Sequence, residues 1–227
     1  MEFLRFLPAM ALLPAAALAQ TTGIPDMQEI ARGLGVKCEY CHAGMGGRAA
    51  ESVQQSTPSH IEIAKAMIAM TRDLNEKIQA ATGKPPNQTI RVACITCHRG
   101  VAVPGQLSDI LAKTALENGP EAAVAQYRDL RAQYYGHQSY DFGEETLLAA
   151  AERVVRAKPP ASIPLLHLNL EFYPKSVRSY TQIAFAYTRT LDDESAIAAL
   201  EKALEIEPEN GMVRGQLEQL KSYRRRK

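Results

Sequence analysis

The 227-residue chain reads as an all-α protein in two parts: a small N-terminal domain built around two short cysteine motifs, and a longer helical-repeat domain. Two observations predict this. Amphipathic stretches with apolar residues at helical spacing carry recognisable start and stop signals, and the second half repeats itself at a period typical of stacked helix pairs. Lys and Arg number 26 against 25 Asp and Glu, a formal charge of +1. That balance lacks the basic excess of a nucleic-acid binder. The basic run Arg224-Arg225-Arg226-Lys227 reads as a solvated helix end.

Residues 1–19 read as a secretory signal peptide. Arg5 precedes an apolar stretch through Leu18, and Ala17-Leu18-Ala19 fits the small-x-small cleavage rule. The stretch is short and interrupted by proline, and no other segment approaches the roughly 20 apolar residues of a membrane span. The expectation is a mature, soluble protein beginning near Gln20, in the periplasm or otherwise secreted.

The next element is a short helix over Met27, Ile30, Ala31 and Leu34, which share one face. Pro25 suits its first turn, Asp26 and Glu29 its positive end, and Gly33 and Gly35 weaken and stop it. Its apolar face is expected to fold back over whatever the first cysteine motif holds.

All four cysteines lie in two copies of one motif, Cys38-Glu39-Tyr40-Cys41-His42 and Cys94-Ile95-Thr96-Cys97-His98. C-x-x-C-H is the attachment signature of c-type haem. Two thiols add across the two vinyl groups on one porphyrin edge, and two intervening residues spread them correctly on a helical turn. The adjacent His then meets the iron with an imidazole nitrogen. One zinc held by both pairs would need ~12–20 residues between them, far fewer than intervene here, and each pair has its own His. Thioredoxin-like dithiols would need a βαβ context. Two covalent haems c are therefore expected, at Cys38, Cys41 and His42 and at Cys94, Cys97 and His98.

Each iron then has a second axial face. Thioether sulfur is a soft ligand that favours Fe(II), and the mature chain offers Met27, Met45, Met67, Met70 and Met212. Met27 lies on the first helix. A second helix from about Ser59 to Ala81 opens with a capping box, Ser59-x-x-Glu62, and ends at Thr82-Gly83-Lys84-Pro85-Pro86. Ile61, Ala64, Met67, Ile68, Leu74 and Ile78 form its buried side, with Met70 at the edge. Either Met67 or Met70 is placed to serve the second iron, with His60 as rival and core packing as the competing role. His137 and His167 lie too far along the chain to be expected as ligands. Lys37, Lys65, Arg91 and Arg99 are candidates to neutralise propionates, and the loop Gly44-Met45-Gly46-Gly47 to wrap a haem edge.

Read in order, MQEIARGLGVKCEYCH, AKAMIAMTRDLN and CITCHRG resemble the photosynthetic reaction-centre cytochrome c subunit family over roughly Met27 to Pro104. The resemblance implies helix–turn–haem-helix units in which a Met on the preceding helix ligates iron. Position by position, Met27 falls on the axial Met for the haem at His42 and Met67 on that for the haem at His98, with Met70 the second choice. The tetrahaem members carry four motifs where this chain has two. Their His further down the long helix is replaced here by Ala81, in keeping with the loss of the haem it would ligate. Stand-alone two-haem relatives are the closer analogy.

After Val103-Pro104-Gly105 the composition turns to Ala, Leu, Glu and Tyr, and Gly119-Pro120, Pro159-Pro160, Pro174 and Pro208 punctuate a series of helices. Residues 177–210 fit the roughly 34-residue tetratricopeptide pattern through Tyr180, Ile183, Ala184, Tyr187, Ala196, Leu200, Ala203 and Pro208. ALEIEP at its end echoes NLEFYP at 169–174, so a degenerate copy precedes it, and a last helix through Tyr223 caps the stack. Tyr127, Tyr134, Tyr135 and Tyr140 are expected to pack rather than bind. The expected boundaries are a dihaem domain at 20–105 and a tetratricopeptide-like domain at 109–227. The second domain would serve a protein partner or self-association.

The function expected from all this is one-electron transfer between an extracytoplasmic redox donor and acceptor, with no catalytic residue. A two-haem peroxidase or small-molecule reductase would need an open iron face, and a haem-based redox sensor would need ligand-dependent partner binding.

Overall fold

The computed structural model describes residues 26–42 and 59–226. The signal peptide, Pro25, Met45 and the Gly44–Gly47 loop lie outside the described residues. Within them all regular structure is helical.

Helix α1 (Met27–Leu34) starts where the Asp26 side chain accepts from the Gln28 N–H, and stops at Gly35 in the left-handed conformation. Cys38–Tyr40 make one 3-10 turn. Helix α2 (His60–Thr82) has the expected reciprocal capping box between Ser59 and Glu62 and a left-handed Gly83 after it. Helix α3 (Cys94–His98) is the second cysteine motif itself. The Thr96 hydroxyl accepts from the Ala93 N–H at 3.1 Å and so closes its first turn.

Seven helices follow: α4 (Leu107–Glu117), α5 (Pro120–Tyr134), α6 (Glu144–Val155), α7 (Pro159–Phe172), α8 (Val177–Arg189), α9 (Asp193–Ile206) and α10 (Gly211–Arg224). Pro120 and Pro159 start α5 and α7, where a missing N–H costs nothing. From α6 onward each helix packs on the next, while α4 leans on α5 and α6. Leu111, Tyr127, Leu147, Leu165, Ile183, Leu200 and Leu217 belong to one continuous core running from α4 to α10. Ion pairs such as Arg128–Glu171 at 2.6 Å sit on its surface, where each contributes little.

The exits of α7 and α9 share a backbone pattern. The Tyr173 N–H bonds the Asn169 carbonyl at the end of α7, and the Glu207 N–H bonds the Ala203 carbonyl at the end of α9. Ser176 and Asn210 then take the same dihedrals, φ −72° and ψ 94°, and each caps the helix that follows. Where the later copy has Ala203 and Val213, the earlier has Asn169 bonded to Ser179 Oγ at 2.8 Å, both fully buried. This buried polar pair has no counterpart in the later segment.

Two expectations are corrected. Tyr127 is fully buried, and Tyr134 and Tyr140 pack edge-on at 5.4 Å. Tyr135 instead stands at the surface, with the Arg131 guanidinium 3.9 Å over its ring. The side of α2 expected to be buried contains no buried residue. Amphipathic spacing says that a face is to be covered, not that protein covers it.

Candidate functional site

The described residues before Val101 have almost no core of their own. Ile30 is the only apolar side chain buried before Val101 among the described residues. What organises this part is backbone contact. A Cβ on Gly33 would lie 2.9 Å from the Cβ of Cys94, and one on Gly35 only 1.9 Å from the Gly100 carbonyl oxygen. Both glycines are therefore needed for α1 to seat on α3, and the Gly100 N–H donates to the Gly33 carbonyl at 2.9 Å. In the sequence these glycines read only as helix breakers; in the fold Gly33 seats α1 on the second motif's helix, while Met27 stays exposed.

In the first motif the His42 N–H bonds the Cys38 carbonyl at 3.0 Å, closing one turn that aligns both thiols. Cys38 is exposed and Cys41 half-buried. His60 is brought here rather than to the second motif. Its ring stacks on Tyr40 at 4.1 Å, and its Nδ1 donates to the Tyr40 carbonyl at 2.7 Å.

In the second motif Cys97 is exposed and Cys94 half-buried. Burial pushes the Cys94 thiol up from its ordinary pKa, with Glu29 and Cys97 adding to the effect against the opposing backbone hydrogen bond and Arg91. His98 Nδ1 lies 3.0 Å from the Val101 carbonyl. A carbonyl only accepts, so Nδ1 carries the proton and Nε2 keeps its lone pair for a metal. A ligating histidine has this arrangement in its outer shell.

The candidate sulfur ligands are accessible. Met27 on α1 is 54% exposed, and Met67 and Met70 on α2 are 42% and 54% exposed. Ile63, Leu74, Ile90 and Ile95 are exposed as well. Paired thiols on single turns, a histidine with a free Nε2, accessible thioethers and an uncovered apolar helix face are the donor set and the surface that haem c requires. The residues present fit that group.

Asn75 closes the MTRDLN phrase, whose spacing gives it no partner. Its carboxamide makes two bonds to one residue, Nδ2 to the Val92 carbonyl and the Val92 N–H to Oδ1, each at 2.8 Å. Asn75 thus ties the middle of α2 to the segment leading into Cys94. Arg91, Arg99, Lys37 and Lys65 are all exposed. His167 is exposed on α7, far in sequence from either motif. His137 lies closer to the second motif than its position in the chain suggests, beside Ile95, Arg99 and Gly100 in an open groove.

Among the described residues no helix is long and apolar enough to cross a membrane. A family model described as the photosynthetic reaction centre cytochrome C subunit matches residues 38–166, from the first cysteine into α7. No curated protein matches the chain.

Proposed function

The chain belongs to the photosynthetic reaction centre cytochrome C subunit family, and on that premise we propose that it is an exported dihaem electron carrier. In this reading Cys38 and Cys41 bind one haem and Cys94 and Cys97 the other. His42 and His98 are the proximal ligands, and Met27 and Met67 the distal ones, with Met70 second to Met67. Haem c, when bound, supplies a one-electron Fe(III)/Fe(II) couple. The chain's own residues orient it, shield it and set its potential. The dihaem domain spans residues 20–105, and the domain at 109–227 is a tetratricopeptide-like stack offering a face to a protein partner or a second copy. Donor and acceptor are redox proteins outside the cytoplasm.

The observation that carries this reading is His98, whose Nδ1 is committed to the Val101 carbonyl while Nε2 stays free beside two thiols on one helical turn. The test is an intact mass of the purified holoprotein with oxidised and reduced spectra. Two haems and an oxidised near-infrared sulfur-to-iron band are expected. A high-spin signal would favour an open, catalytic iron face, and a protein matured without haem would end the proposal.

A further inference from the structure

The short exit from α3 is where three parts of the molecule meet. Arg99 has φ +51° and Gly100 φ +82°, so the chain reverses left-handedly directly after His98. Arg99 is not a glycine, and a residue of its kind holds this conformation only where its surroundings impose it. Three contacts do so. The Gly100 N–H is taken by Gly33 of α1. The Val101 N–H bonds the His98 carbonyl at 3.0 Å, and the Val101 side chain is buried. The Arg99 carbonyl accepts from Ser139 Oγ at 2.7 Å, across forty residues of sequence.

Ser139 belongs to the connection between α5 and α6, and that connection is fixed at both ends. The His137 N–H bonds the Tyr134 carbonyl at 2.9 Å. Tyr140 packs against Tyr134 and Phe142, and the Phe142 carbonyl accepts from the Tyr173 hydroxyl at 3.1 Å. The helical domain therefore reaches with the Ser139 hydroxyl to the turn whose next carbonyl but one, that of Val101, lies 3.0 Å from His98 Nδ1.

We infer that Ser139 is a positioning residue for His98, through which the helical domain sets the potential of the second haem. The inference rests on the proposed dihaem function. The Nδ1–H···O=C bond makes the imidazole a stronger donor to iron and favours Fe(III). Loosening the Arg99–Val101 turn weakens that bond and raises the potential.

The experiment uses full-length holoprotein carrying Ser139→Ala, with Ser139→Thr as the variant that keeps the hydroxyl. The two potentials are assigned with the single-haem variant Cys38→Ser/Cys41→Ser. Ser139→Ala is expected to raise the potential of the haem at His98 and leave that at His42 unchanged. It should also speed deuterium exchange at His98 Nδ1 in the reduced protein several-fold. Ser139→Thr should restore both. Unchanged potential and exchange, or an equal shift of both haems, would overturn the inference while two haems remain in the mass. Wild-type protein lacking haem at Cys94 and Cys97 would overturn the dihaem reading itself.

Discussion

Asn75 on α2 holds Val92 by both edges of its carboxamide, as a neighbouring strand would, and also donates from Nδ2 to the Thr71 carbonyl at 2.9 Å. No other side chain of α2 makes a hydrogen bond of this kind to the lead-in of the second motif among the described residues. Replacing it with Ala leaves the Val92 N–H and carbonyl without their partner. Asn75→Ala is expected to destabilise the holoprotein by about 1–3 kcal/mol, read from its thermal melt. Asn75→Asp keeps the acceptor but turns a carboxylate oxygen on the Val92 and Thr71 carbonyls, so it should be no more stable than Asn75→Ala.

Gly35 has φ +65° and no room for a Cβ against Gly100. Gly35→Ala is therefore strained twice over, by the left-handed backbone and by the overlap. A loss of at least about 2 kcal/mol is expected, with the first helix detached. Circular dichroism melts and deuterium exchange at the Gly100 amide, which bonds Gly33, would register it. A variant as stable as wild type would mean that α1 does not seat on α3.

Met67 and Met70 lie one turn apart on α2 and differ little in exposure, so ligand choice must be settled by replacement. Met67→His is expected to lower one of the two potentials, because imidazole favours Fe(III) more than thioether does, and to halve the near-infrared sulfur band. Met70→Leu should leave both intact. The opposite pattern would move the ligand to Met70.

The core of the described residues lies almost wholly after Val101. Protein prepared without haem is expected to melt as the helical domain alone, with residues before about 105 open to proteolysis. Tyr127→Ala, a substitution in the centre of that core, should lower this melt by the roughly 3–5 kcal/mol typical of a buried aromatic. A single cooperative apo transition that includes α1 and α2 would contradict the expectation.

Asp192 caps α9 by accepting from the Ser195 N–H at 3.0 Å. That backbone bond, followed by the Ser195 side chain, holds its carboxyl below the ordinary pKa. Because the folded value is depressed, the cap contributes fully above the unfolded carboxylate pKa and is lost as pH falls through the folded one. An NMR titration of Asp192 should show the low midpoint, and Asp192→Asn should remove the acid dependence of the Ser195 amide while keeping its protection.

What was legible in the sequence was local. The Ser59–Glu62 box and the α8–α9 pair are written in residues three or four apart, or at a fixed repeat, and both are found where they were expected. The cysteine motifs declare their chemistry in five residues. What was not legible depends on contacts between distant parts of the chain. Asn75 meets Val92 across a loop, and Ser139 meets Arg99 across two whole helices. His60 shares a helix with Met67, which points it to the second motif, yet the start of that helix lies against Tyr40. Spacing along a helix fixes which residues share a face, and tertiary contact alone fixes what that face meets.

The contact between Gly33 and Cys94 also limits the directions from which that sulfur can be reached. With α1 seated, the backbone at Gly33 lies against the Cys94 Cβ and the thiol is half-buried. The thiol stays half-open on the far side from Gly33 with the helix in place. A group joined covalently at that sulfur therefore has to lie on the side that α1 leaves uncovered.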